Sequence, residues 1–542
     1  MRFITLAALP LAFALIGAAQ PAATTLPQTS AAERVKAHMT FLSSDLLEGR
    51  DTGSRGHEIA AGYVVSQLQA LGLKPGGDKG NWYQQVPYRR ATLDGTPTAS
   101  LTTRGAATPL VQGTDLSVRP NLVTKDMKVN AGLVFVGYGI ADPVLGIDHY
   151  RGVDARGKIV VAFSGTPKGV PSDIAAHLNQ VKAQNAAARG AVGYVEITAN
   201  PAGNWGSLAM AGTRPVTNWA DGKGGSGQGR AAPLLRISFS KATAERLFAG
   251  ARQTLAAVQA EAAAGRQPKG FPLTGTLRVE ATSKWEDFTS PNVVAVLPGS
   301  DPKLRQEYVA LMGHLDHIGV RRNAKPGEDA INNGALDNAS GVSTMLETAR
   351  AFVASGQAPK RSLLFLAVTG EELGLTGADY FATNPTVRLN EVAALVNLDM
   401  PLLLYPFRDV IAFGAEHSNI VKAVDAAGAA MQVTATPDPM PEQGLFTRSD
   451  HYRFVTRGVP SVFLMTGYAN GGEAQWKKFL SGCYHSPCDE VGQGIDWDAA
   501  ARFGELNYRI ARQLADAPER PRWYADSYFG RAFGAGQPKL AR

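Results

Sequence analysis

At 542 residues the chain exceeds what one compact domain usually holds, and two or three units are expected. Its 44% hydrophobic and 19% charged residues describe a globular protein with ample material for a core. The net charge of +7 is spread over 54 basic and 47 acidic residues with no Lys/Arg block, so neither nucleic acid nor an anionic membrane is implied as a partner.

In chain order, Arg2 precedes an apolar stretch over residues 3–16, and Gly17-Ala18-Ala19 offers small residues for cleavage. This is the pattern of a secretory signal peptide over residues 1–19. The stretch is short for a spanning helix, and nothing later reaches ~18 uninterrupted apolar residues. A secreted or periplasmic protein is therefore expected, with no stable membrane insertion once the signal is removed. From 121 to 281 the pattern is strand-rich. Residues 131–139 read as a strand running into a turn, 157–163 repeat the theme, and 182–189 suggest a short helix leading into a strand at 191–197. An exit strand is expected at 233–238, after a Gly/Ser-rich loop at 221–229. Residues 290–299 read as a further strand, and 308–312, 362–368 and 392–396 as short, continuously apolar strands buried on both faces. Between them, Val342, Met345, Leu346, Ala349 and Val353 carry helical spacing. The tail, 517–542, either wraps the surface or is disordered.

Acidic and imidazole residues follow these apolar runs. They are His314 in Gly-His-Leu-Asp, Asp337 in Leu-Asp-Asn-Ala-Ser-Gly, Glu371 and Glu372 in Thr-Gly-Glu-Glu-Leu-Gly, Asp399 in Asn-Leu-Asp-Met, and His485 in Tyr-His-Ser-Pro-Cys-Asp-Glu. Any one alone reads equally well as a core histidine or a helix cap. Together they form the ligand set of a two-metal site. Imidazole nitrogen and carboxylate oxygen suit zinc, and two ions ~3.5–4 Å apart share a bridging carboxylate. Five ligands suffice for two ions, which leaves one half of the Glu371-Glu372 pair as a general base. His314, Glu371-Glu372 and Asp399 fall just beyond strand carboxyl ends, where open α/β sheets place their sites.

The segment from about 282 to 516 resembles the M28 family of zinc metallopeptidases, and the resemblance takes in a front piece carrying Phe41-Leu-Ser-Ser-Asp-Leu-Leu-Glu-Gly-Arg50, Thr52-Gly-Ser54 and Ala60-Ala-Gly-Tyr63. It implies an α/β fold with a mixed, mostly parallel sheet flanked by helices, in a discontinuous catalytic domain over 31–120 and 282–516. Residues 121–281 resemble the β-rich protease-associated (PA) domain often inserted into such enzymes. Carried over, His314 and Asp399 would hold one zinc, Glu372 and His485 the other, and Asp337 would bridge them. Glu371 would be the base, and Asp316 would accept a hydrogen bond from His314 and fix its tautomer. Tyr484 is a candidate oxyanion donor, though an ordinary packed tyrosine reads as well, and Ser449 and Asp450 are expected near the substrate side. His317 either lines the cleft mouth or, more plainly, is packed or exposed.

Cys483 and Cys488 bracket His485, and in an oxidising compartment they are expected to form a local disulfide, with free thiols as the alternative. The expected activity is that of a dizinc aminopeptidase acting on peptides. A carboxypeptidase or dipeptidase would share the metals and differ in the substrate anchor, for which Arg408 or Arg448 is available. A glutaminyl-cyclase-like acyltransferase would need one metal. A non-catalytic binding protein working through the PA-like module would not need Glu371 and Glu372.

Overall fold

A computed structural model describes residues 29–200, 205–210, 212–220 and 235–542. The signal peptide expected at 1–19 and the Gly/Ser-rich segment 221–229 lie outside these residues. Among the described residues no helix is long and apolar enough to cross a membrane.

The continuously apolar runs become the middle of a sheet. Strands Ser362–Val368 and Val392–Leu398 are buried throughout, and Tyr308–His314 is buried from its second residue on. Such strands need cover on both faces. Tyr308–His314 is central, parallel to both of the others, and Ser461–Thr466 extends the parallel set beyond Val392–Leu398. The margins are mixed, with Asp409–Phe413 antiparallel to Ser461–Thr466 and Phe271–Leu297 antiparallel to Ser362–Val368. Helices Ala31–Leu42, Arg55–Ala70, Ser340–Ala354 and Trp497–Asp516 pack into the same core as this sheet. The expected mixed, mostly parallel α/β architecture is therefore present. Ser340–Ala354 buries Val342, Met345, Leu346 and Ala349 as the spacing predicts, but its last inward residue is Phe352 while Val353 is 38% exposed.

A second core joins strands Asp126–Phe135, Ile159–Phe163, Gly193–Ile197 and Leu235–Phe239, each parallel to the next, with helices Lys241–Phe248 and Leu255–Ala263. Leu101, Leu110, Leu116 and Val118 also belong to it, upstream of residue 121. The reason is the length of strand Tyr83–Thr103, which leaves the first core and runs into the second. It pairs antiparallel with Phe271–Leu297 from Tyr83↔Val293 to Thr103↔Gly275. The late part of Phe271–Leu297 pairs with Ser362–Val368 and its early part with Asp126–Phe135, so one hydrogen-bonded sheet crosses both cores.

Side chains tie the segments between residues 121 and 281 to the first core. Trp219 Nε1 donates to Asp379 at 2.8 Å, and His177 Nδ1 lies 2.6 Å from the Tyr452 hydroxyl. The tail wraps back rather than hanging free: Trp523 and Phe529 are buried in the first core, and the Tyr528 hydroxyl donates to Asp142.

Candidate metal centre

Register decides what the site can gather. His314 ends its strand opposite Val368, and Met312 lies opposite Asn397, so three parallel strands finish at one level. His314, the Glu371-Glu372 turn and Asp399 therefore emerge side by side. Asp337 reaches the same place from the turn before helix Ser340–Ala354, where its backbone is not yet helical and its peptide bond to Asn338 is cis. His485 arrives on a loop closed by a disulfide between Cys483 and Cys488.

Asp337 is the hub. Its Oδ1 lies 3.3 Å from His314 Nε2, which also sits 3.1 Å from Asp399 Oδ1. Its Oδ2 lies 3.2 Å from His485 Nε2, which in turn is 3.3 Å from Glu372 Oε2. Each oxygen of one buried carboxylate thus faces its own imidazole–carboxylate pair. His314 Nδ1 donates to the Asp316 carbonyl oxygen at 3.1 Å, so in the neutral ring Nε2 carries a lone pair aimed at two carboxylate oxygens. That arrangement is repulsive unless a proton or a cation lies between. Burial lowers the His314 pKa, but the charges of Asp399 and Asp337 overcome it and hold it well above the usual range. Burial and the neighbouring acids also push Glu371 and Glu372 well above the usual carboxylate range. Imidazole nitrogens and carboxylate oxygens crowded in this way fit a divalent transition metal, which replaces the protons that crowding would otherwise enforce.

One expectation needs correction. The Asp316 carboxylate does not take the His314 proton: its Oδ1 is 3.9 Å from Nδ1, and the backbone carbonyl does that work instead. The carboxylate points the other way, accepting the N–H groups of Glu371 and Glu372 at 3.2 and 3.4 Å and the Thr52 hydroxyl at 3.1 Å. Asp316 thus shapes the acidic turn and fixes His314 only through its own backbone. His317 is fully buried, with Nδ1 2.7 Å from Glu372 Oε1, so it belongs to the site rather than to its mouth. Burial lowers it to about 4, leaving a neutral ring that can donate to Glu372.

Ser449 donates to Asp399 Oδ2 and accepts from Asn397 Nδ2, holding Asp399 in place. Asp450 is buried beside it, and burial, reinforced by Asp316 and Asp399, pushes its carboxyl well up. The Tyr484 ring stacks on His485 with centroids 3.9 Å apart. Burial and the nearby acids push the Tyr484 hydroxyl up, so it stays protonated and able to donate. Arg408 does not line the site; Arg448 does.

Two supporting residues escaped the sequence reasoning, although both lie in quoted motifs. Asp489 accepts the N–H groups of Leu336 and Asp337 at 2.9 and 3.0 Å. Arg50 is 1% exposed and donates to the carbonyls of Leu42, Leu315, Asn333 and Gly334, pinning the front piece under the site. Burial lowers Arg50 to about 10 against the opposing pull of Asp337, Asp489, Asp316 and Glu372. An arginine and an aspartate flanking glycine- and proline-bearing turns are the available signal, and it is faint.

A cavity of about 60 Å³ adjoins His314, Asp337, Glu371 and Asp399 and is walled by Met400, Leu445, Phe463 and Met465. It opens toward an outer cleft of about 560 Å³ bordered by Glu371, Glu372, Tyr484 and His485. A larger cavity of about 770 Å³ under the C-terminal tail contains none of these residues and has no chemistry to match.

Fold and side chains together define an α/β protein with a cluster of imidazole and carboxylate groups of metal-ligating type at its strand ends. Residues 292–511 match the model of Peptidase family M28. The match contains every candidate metal-ligating residue. The chain is 30% identical over 195 residues to a probable leucine aminopeptidase 2 of Aspergillus oryzae, covering 34% of this chain and 35% of that one. It is 29% identical over 256 residues to leupeptin-inactivating enzyme 1 of Streptomyces exfoliatus, covering 44% of this chain and 53% of that one. The chain thus spans about half or less of the length of these relatives. A solved aminopeptidase from Aneurinibacillus sp. strain AM-1 is similar at 20% identity and a TM-score of 0.48, over 90% of this chain and 95% of that one.

Proposed function

We propose that the chain is a secreted dizinc exopeptidase, an aminopeptidase that releases N-terminal residues from peptides. The observation that carries this is the division of Asp337, with Oδ1 facing His314 and Asp399 and Oδ2 facing His485 and Glu372. One zinc would be held by His314 and Asp399 and a second by Glu372 and His485, with Asp337 shared. When bound, such ions polarise a carbonyl oxygen and bring the pKa of water from ~15.7 toward ~7.

This chain's own groups do the rest. Glu371 borders the inner cavity and makes no direct contact with either histidine, which leaves it to take the water proton and return it to the leaving amine. The Tyr484 hydroxyl can donate to the developing oxyanion. His317 and Ser449 keep Glu372 and Asp399 aimed. The inner cavity, about 60 Å³ and walled on one side by Met400, Leu445, Phe463 and Met465, has room for one side chain beside the metal-ligating cluster, which supports exopeptidase action. We also read residues 1–19 as an export signal and the second core as a PA-like module inserted into the catalytic domain.

Metal content measured together with cleavage of N-terminally free and N-terminally blocked peptides tests the proposal. About two zinc ions per chain and cleavage of free amino termini only are expected. Cleavage that tolerates a blocked amino terminus but requires a free carboxylate would move the assignment to a carboxypeptidase. One metal or none, with no cleavage, would overturn it.

A further inference from the structure

The outer cleft has two walls of different origin. One is the catalytic face with Glu371, Glu372, Tyr484 and His485; the other comes from the second core and carries Gln184, Glu196 and Arg236. The second wall is held close. Helix Ser172–Gln180 meets the catalytic part through His177 and Tyr452, and Gln180 Nε2 lies 3.4 Å from the Thr447 carbonyl. Because one sheet runs through both cores, the spacing between the walls is set by strand pairing rather than by a linker.

The cleft carries both signs of charge. Glu371 and Glu372 stand on the catalytic wall, and the guanidinium-bearing residues Arg236, Arg448 and Arg453 also border it, with Glu196 on the opposite wall. Arg453 is partly committed, donating to the Gly374 carbonyl at 3.0 Å. Arg236 projects outward from strand Leu235–Phe239, the exposed residue among buried neighbours, and Arg448 is exposed at the junction of inner cavity and outer cleft. A peptide with its amino terminus beside Glu371 and Glu372 must run outward between these walls. About 560 Å³ is the volume of a small-ligand site, and a short peptide fills it.

We propose that Arg236 of the second core, with Arg448 opposite, binds the C-terminal carboxylate of the substrate, so that the enzyme selects short peptides with free carboxyl ends. This rests on the aminopeptidase reading above and adds to it a function for the second core, which supplies the far anchor of the substrate and limits its length. Guanidinium is suited to the task, since its fork of donors matches a carboxylate in two parallel hydrogen bonds.

The test compares the zinc-loaded full-length enzyme with its Arg236→Ala and Arg236→Lys variants on Leu-Gly, Leu-Gly-Gly and a Leu-initiated decapeptide, each as free acid and as C-terminal amide. For wild type, KM of the short acids should lie roughly tenfold to a hundredfold below that of their amides, the effect of a charged hydrogen bond, with no such gap for the decapeptide. In Arg236→Ala the acid-to-amide ratio should collapse toward one through KM rather than kcat, and Arg236→Lys should restore part of it. Equal KM for acids and amides in wild type, with both cleaved, would overturn the carboxylate anchor while leaving the aminopeptidase standing. Failure of the wild type to cleave any of them would overturn both.

Discussion

Replacing Asp489 by Asn is the most exacting test of how the site is held. The carboxylate is wholly buried and takes the Leu336 N–H through Oδ1 at 2.9 Å and the Asp337 N–H through Oδ2 at 3.0 Å. Burial pushes this carboxyl up, and the two N–H groups pull it back. An amide offers one oxygen in place of two, so one backbone N–H must face another donor. A hydrogen bond to a charged group is worth ~1.5–3 kcal/mol, and an unsatisfied buried donor costs ~1–3 kcal/mol; as both refer to the same N–H they overlap, giving about 2–4 kcal/mol. Urea unfolding with a chelator present reads that loss without metal linkage. A zinc-competition titration of the folded variant should show affinity lowered roughly 10–100-fold, because the disturbed N–H belongs to the shared carboxylate residue itself. The neighbouring, exposed Glu490→Gln should stay within ~0.5 kcal/mol. If Asp489→Asn behaves like that control in both assays, the buried acceptor does not hold the site and the reasoning fails.

Glu371→Gln should keep its metals and lose roughly 10²–10⁴-fold in kcat; metal loss in that variant would exchange its role with that of Glu372. Asp337→Ala should release both ions together on titration with a chelator, and retention of one would contradict a shared ligand. His177, where helix Ser172–Gln180 meets Tyr452, gives a pH dependence of stability. Burial lowers it to about 4 from an ordinary 6.5, so its contribution is complete above pH 6.5 and is lost as pH falls from 6.5 toward 4. That loss is about 3 kcal/mol. Denaturation midpoints across this window should fall more steeply for wild type than for His177→Gln, and parallel curves would refute the assignment.

The strands were legible because runs such as Ser362–Val368 are buried on both faces and tolerate only apolar residues. Strand ends then placed His314, the Glu371-Glu372 turn and Asp399 together with no further information. Side-chain direction was less legible. Asp316, two residues after His314, has the composition of a histidine partner, yet it faces the Glu371-Glu372 backbone, which only the folded turn brings near. His317 read as packed or exposed because nothing local indicates that Glu372 lies beside it. Arg50 and Asp489 were silent for a common reason: they bind backbone groups, whose positions no residue pattern records. The second core also draws on Leu101, Leu110, Leu116 and Val118, because strand Tyr83–Thr103 passes between cores without any break in composition to mark the crossing.

That crossing strand and its partner Phe271–Leu297 also decide what happens if the second core is removed. A module hung on a linker can be trimmed away at little cost to its host. Here any cut leaves a stub of two-stranded ribbon projecting from the catalytic sheet, with the N–H and C=O groups that once met Asp126–Phe135 now open to solvent. Such an edge is a template for pairing between molecules. A truncated catalytic part should therefore precipitate rather than survive as a smaller enzyme, and heat should melt the intact protein in one step, since neither core can let go of the shared ladder without fraying the other.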